Sequence, residues 1–157
     1  MRKSQITRIP QNAPLRDQVW MDVDRIASVE VSSEESTYPI ESALLLEGQR
    51  GWRASNPGVQ TIRLIFDEPQ KLKRILLVFE DTKNSRTQEF VLRWSPDVQY
   101  SSREIVRQQW NFSPPDSVRE TEDYPVELSE VKVLELEIVP DKSGGEVRAS
   151  LASLRLA

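Results

Sequence analysis

Apolar and polar residues alternate in short stretches along this chain rather than recurring every three or four positions. A period of two is the mark of strands with one buried face. Residues 26–32 alternate in this way. Residues 59–66 place Ile62, Leu64 and Phe66 on one side. Residues 72–80 form a nearly unbroken apolar run, as expected of a central strand covered on both faces. Residues 88–94 alternate through Phe90, Leu92 and Trp94, and residues 103–112 end at Trp110 and Phe112. Residues 131–139 alternate strictly up to Pro140. Residues 146–156 alternate less regularly, through Val147, Leu151, Leu154 and Leu156.

Turn formers separate these stretches: Asp67-Glu68-Pro69, Lys83-Asn84-Ser85, Ser95-Pro96-Asp97, Ser113-Pro114-Pro115-Asp116 and Ser143-Gly144-Gly145. Many short strands with such punctuation predict an all-β fold, a sandwich or barrel. Long helical patterns between strands, which a parallel α/β fold requires, are missing. Short helices are expected at residues 15–25 and 40–46. The organisation predicted is an N-terminal arm over residues 1–25, packed on a single β-domain over residues 26–157. Trp52, Trp94, Trp110 and Phe112 are assigned to the core, and Trp20 to an anchor for the arm.

Composition narrows the chemistry. The 157 residues contain no histidine and no cysteine. That removes the commonest general base and metal ligand, the Ser-His triads, disulfides and thiolate sites. No P-loop, nucleophile elbow or zinc signature is present. The chain is therefore read as a binding protein and not an enzyme, with no cofactor. Its net charge of −4 argues against a general nucleic-acid binder, whose affinity rests on phosphate neutralisation. Residues 1–14 are polar, without the apolar stretch of a signal peptide, and no run is long enough to span a membrane. The expected location is cytoplasmic.

The order of several short features resembles the discoidin-type, galactose-binding-domain-like family. Val29-Glu30-Val31-Ser32-Ser33 is followed by Tyr38-Pro39 and Ala43-Leu44-Leu45. Next come Gly51-Trp52-Arg53-Ala54-Ser55 and Phe90-Val91-Leu92-Arg93-Trp94-Ser95-Pro96-Asp97. Gly144-Gly145 and a closing Ala-Ser-Leu strand complete the series. The resemblance covers residues 26–157. It implies a jelly-roll β-sandwich of two antiparallel sheets and a non-catalytic module that binds carbohydrate through loops at one end. Many family members hold calcium in an acidic loop before the Trp. Here that stretch reads Glu47-Gly48-Gln49-Arg50-Gly51, too poor in carboxylates for calcium, so no metal is expected. A narrower stretch, residues 32–37 with Glu41 and Trp52-Arg53-Ala54, is similar to the N-terminal domain of the eukaryotic single-strand-break repair scaffold. It implies the same fold and, as the alternative, a cytoplasmic protein- or DNA-interaction module.

If ligands are bound as in the family, three loops matter: residues 34–40, 81–87 and 113–124. Tyr38 and Tyr124 offer rings for an apolar sugar face. Arg86 and Arg119 offer forked hydrogen bonds. Glu35 and Asn84 add an acceptor and an amide. The competing reading of each residue is an ordinary solvated loop. The acidic run Glu120-Thr121-Glu122-Asp123 is read as solvated surface.

Overall fold

Strands built from alternating segments need partners, and here those partners lie far away in sequence. The computed structural model describes residues 19–47, 50–99 and 102–157. Among them, α1 (Val23–Ile26) leads into β1 (Ala27–Val31), and α2 (Glu41–Leu44) precedes β2 (Trp52–Pro57). Then follow β3 (Gln60–Glu80), β4 (Arg86–Ser95), β5 (Arg103–Phe112), β6 (Arg119–Val139), β7 (Arg148–Leu151) and β8 (Ser153–Leu156). The main sheet runs β1-β3-β6-β4-β5, with β8 also paired to β3, while β2 and β7 form a separate pair. All pairings are antiparallel.

The architecture turns on β3 and β6, each 21 residues long. Their ladder has two regular stretches. Gln60 to Ile65 pairs with Ile138 to Val133, and Arg74 to Glu80 pairs with Pro125 to Arg119. Register shifts separate the two. The first stretch is flanked by β1 and β4, the second by β8. Each long strand thus passes from one layer of the sandwich to the other. The buried residues of β3 record the passage: Ile62, Leu64 and Phe66 first, then Ile75, Leu77 and Phe79. The alternation changes phase between them, as an extra residue in a bulge requires.

Two expectations are corrected here. Asp67-Glu68-Pro69 does not end a strand but lies within β3. Pro69 has no N–H to give, and it falls in the gap where the ladder skips pairs. Residues 119–124, expected in a loop, open β6 instead. Their acids are not all solvated either, since Glu120 is fully buried.

The core lies between the layers. Phe79 of β3 stacks on Phe90 of β4 with ring centroids 5.2 Å apart. Trp52 and Phe112 are buried with them, and Trp94 and Trp110 pack against this core half-buried. Of the expected N-terminal helix, Val23–Ile26 is helical and residues 15–18 lie outside the described residues. Val23 is part of the core. The Met21 N–H donates to the Leu156 carbonyl (2.8 Å), and the Arg74 guanidinium stands 5.3 Å from the Trp20 ring centre.

Candidate functional site

Between β1 and α2 the chain makes a tight turn that is pinned to β2. The Glu35 N–H donates to the Arg53 carbonyl (2.9 Å), and the Arg53 N–H donates to the Tyr38 carbonyl (3.1 Å). The Tyr38 N–H closes the turn on the Glu35 carbonyl (2.9 Å). Beneath it the buried Trp52 donates its indole N–H to the Ser33 carbonyl (3.0 Å). Ser33 Oγ donates to Gln60 Oε1 (2.8 Å) and accepts from the Ser55 N–H (3.0 Å). Just before Trp52, Gly51 takes φ +75°, and a Cβ there would meet the Leu151 carbonyl oxygen at 2.7 Å. Only glycine fits this approach of β2 to β7.

The β3–β4 loop is organised around Asp81. Its Oδ1 accepts from the Lys83 N–H (2.8 Å) and the Asn84 N–H (2.9 Å), and its Oδ2 accepts from Arg86 Nε (2.6 Å). Burial pushes the Asp81 carboxyl up, but the Lys83 N–H, the Arg86 guanidinium and the Asn84 N–H outweigh it and hold the group below its usual range. Arg86 is buried, donates from Nη1 to the Pro140 carbonyl (2.6 Å) and lies 4.6 Å over the Phe112 ring. It works from behind the loop and sets its shape.

These two segments, with the approach to β7, enclose a cleft of about 580 Å³. Arg53 lies 4.4 Å and Arg50 5.2 Å from the Tyr38 ring centre. The ring therefore supports guanidinium groups instead of standing bare, and a guanidinium held against a ring keeps its N–H donors for other partners. Val147 and Leu151 give the cleft an apolar part, and Asn84 an amide. Its charged lining is Arg50, Arg53, Lys83 and Arg148 against Glu35, Glu80, Asp81 and Glu146. Two of those acids are neutralised by arginines outside the cleft, Asp81 by Arg86 and Glu80 by Arg119. Glu35 is approached by Arg148 (3.4 Å) and Arg53 (3.8 Å) from within. Among the described residues the lining balances four cations against four acids, and with these pairings Arg50 and Lys83 are left without an ion pair.

The structure brings Glu35, Tyr38 and Asn84 together in this cleft. It does not bring Arg86, Arg119 and Tyr124 there. Arg86 is spent on Asp81 and Pro140 in the interior. Arg119 is exposed outside the cleft and paired with Glu80. Tyr124 sits in β6 opposite Ile75, half-buried near the Phe90 ring, with its hydroxyl donating to Glu122 Oε1 (3.2 Å). Burial, followed by the Glu122 carboxylate, pushes that phenol well above its ordinary value. Sequence reasoning missed Arg50, Arg53, Lys83 and Arg148. Alternation beside Trp52 marks Arg53 as outward-facing, but no local signal says that three distant segments meet. Of the stretch weighed for calcium, residues 48 and 49 lie outside the described residues.

No protein-family model and no curated protein matches the chain. Solved structures do. A pectin-binding carbohydrate-binding module aligns over 84% of this chain and 90% of its own at 19% identity, with a TM-score of 0.59. The family 32 carbohydrate-binding module of AlyQ, in complex with 4,5-unsaturated mannuronic acid, aligns over 89% and 98% at 15% identity and TM-score 0.62. The family 32 module of Clostridium perfringens NanJ, in complex with galactose, aligns over 87% and 96% at 15% identity and TM-score 0.59. The chain has the discoidin-type, galactose-binding-like β-sandwich fold of these modules.

Proposed function

We propose that this chain is a non-catalytic carbohydrate-binding module, with the saccharide seated in the cleft between the 35–38 turn, the 81–86 loop and the start of β7. The observation that carries the reading is this cleft: an open, polar concavity built by fixed loops on a fold that three solved carbohydrate-binding modules share along nearly their whole length. A pyranose presents hydroxyls around its rim and C–H groups on its faces. Arg50, Arg53, Arg148 and the Asn84 amide supply donors, Glu35 and Glu146 supply acceptors, and Val147 with Leu151 receives the apolar part. Hydrogen bonds hold the turn and the loop in place before any ligand arrives, which lowers the ordering cost of binding.

Hydrolysis of a sugar calls for a carboxyl held protonated beside the scissile bond. Asp81 is held ionised instead, and the one carboxyl described as strongly raised, Glu120, is buried and does not line the cleft. The function argued for is retention of a glycan, not turnover.

Arg53→Ala and Asn84→Ala, compared with the parent on a glycan array and by calorimetry on the best ligand, test the reading. Each is expected to weaken binding by roughly tenfold while the fold persists, the worth of one well-placed polar contact. Undiminished binding by both variants would move the site away from this cleft.

A further inference from the structure

The molecule carries a net charge of −4, yet four cations line its cleft. We infer that the cleft takes a saccharide bearing a carboxylate, a uronate, held by Arg50, Lys83 and Arg148; the inference rests on the carbohydrate-binding reading above. The two acids that would repel such a ligand most, Asp81 and Glu80, are each joined to an arginine outside the cleft. Arg50 leans on the Tyr38 ring, a contact that uses none of its N–H groups. Lys83 is fixed through its backbone, whose N–H donates to Asp81 Oδ1, while its ammonium forms no ion pair among the described residues. Arg148 shares Glu35 with Arg53 at a long 3.4 Å and keeps donors to spare. A carboxylate on a pyranose ring answers this arrangement in charge and in geometry, since it accepts from a guanidinium fork and an ammonium at once. A neutral sugar leaves the Arg50 guanidinium and the Lys83 ammonium without a counter-charge.

Trigalacturonate, its methyl ester and galactotriose, titrated into the full chain by calorimetry, separate the possibilities. The acid is expected to bind about tenfold tighter than the ester at low salt, with most of that advantage lost at about 0.3 M salt. Lys83→Gln should remove most of the advantage and leave ester binding unchanged, whereas Arg148→Gln should weaken acid and ester alike. Equal binding of acid, ester and galactotriose overturns this inference and leaves the carbohydrate reading standing. Silence with all three, and with a broad neutral glycan array, defeats both. Sulfated dextran competing as strongly as trigalacturonate also overturns the inference, because the cleft would then be reading negative charge and not a uronate.

Discussion

Glu120 has no exposed surface and lies beside a second carboxylate, Glu122. Gln88 donates to Glu120 Oε1 (3.0 Å), while Glu120 Oε2 accepts from no group. Burial first, then the Glu122 carboxylate, raises its pKa to about 9. The folded state thus keeps a proton that the unfolded chain releases above pH 4.5, the ordinary value of the group. Stability on this account falls as pH rises from about 4.5 towards about 9, and the group has no effect below that window. Glu120→Gln keeps the neutral shape. In urea unfolding near pH 8 the variant should be more stable than the parent by roughly 1–3 kcal/mol, and the two should converge as pH falls to about 4.5. A variant less stable at every pH would show that the carboxyl is ionised in the fold.

Arg86 and Gly51 are positioning residues of the cleft. Arg86→Met removes the charge partner of Asp81 and leaves a partly buried carboxylate held only by the Lys83 and Asn84 N–H groups, at a cost of about 3 kcal/mol. Sugar binding should weaken with it, although Arg86 touches no ligand. Gly51→Ala meets both the Leu151 carbonyl and a positive φ, and a loss of about 2 kcal/mol is expected in thermal unfolding. From sequence Arg86 reads as a ligand contact because a loop arginine is usually exposed. The Asp81-x-x-x-x-Arg86 pairing that draws it inward is a tertiary fact, completed by Pro140 and Phe112.

The outer face of the main sheet carries a charge ladder across four strands. Glu30 of β1 stands opposite Arg63 of β3, Arg63 opposite Glu135 of β6, and Glu135 opposite Arg93 of β4. The contacts run 2.7, 3.0 and 3.2 Å, and Arg93 also reaches Glu137 at 2.7 Å. Cross-strand pairs of opposite sign contribute a few tenths to about 1 kcal/mol each. Glu135→Gln severs two of them at the half-buried centre and is expected to cost about 1 kcal/mol at low salt and less in high salt. A salt-independent loss would assign its role to packing. Strands were legible where one face is apolar, as in residues 59–66 and 131–139. They were illegible where the pattern broke. The bulge in β3 hid one strand as two, and the first residues of β6 put Glu120, Glu122 and Tyr124 on the side where apolar residues were sought.

At the scale of the molecule, two long strands that change layer give a rigid sandwich, and the cleft lies where three segments from distant parts of the sequence converge. The fold was readable because alternation, turn residues and the order of short features all point to one architecture. The cleft was half readable. Glu35, Tyr38 and Asn84 lie in loops, where ligand contacts are sought, whereas Arg50 and Arg148 enter only through the pairing of β2 with β7. The net charge of −4 likewise concealed the cations of the cleft, because a total says nothing of which arginines stand behind which acids.

The central claim is that a glycan occupies this cleft. The most direct measurement is a backbone amide NMR titration of the chain with neutral and acidic oligosaccharides. The account predicts saturable shifts concentrated at Tyr38, Arg53, Asn84 and Arg148, with β5 and the charge ladder unmoved. Shifts centred elsewhere, or an unchanged spectrum across the whole panel, would contradict it.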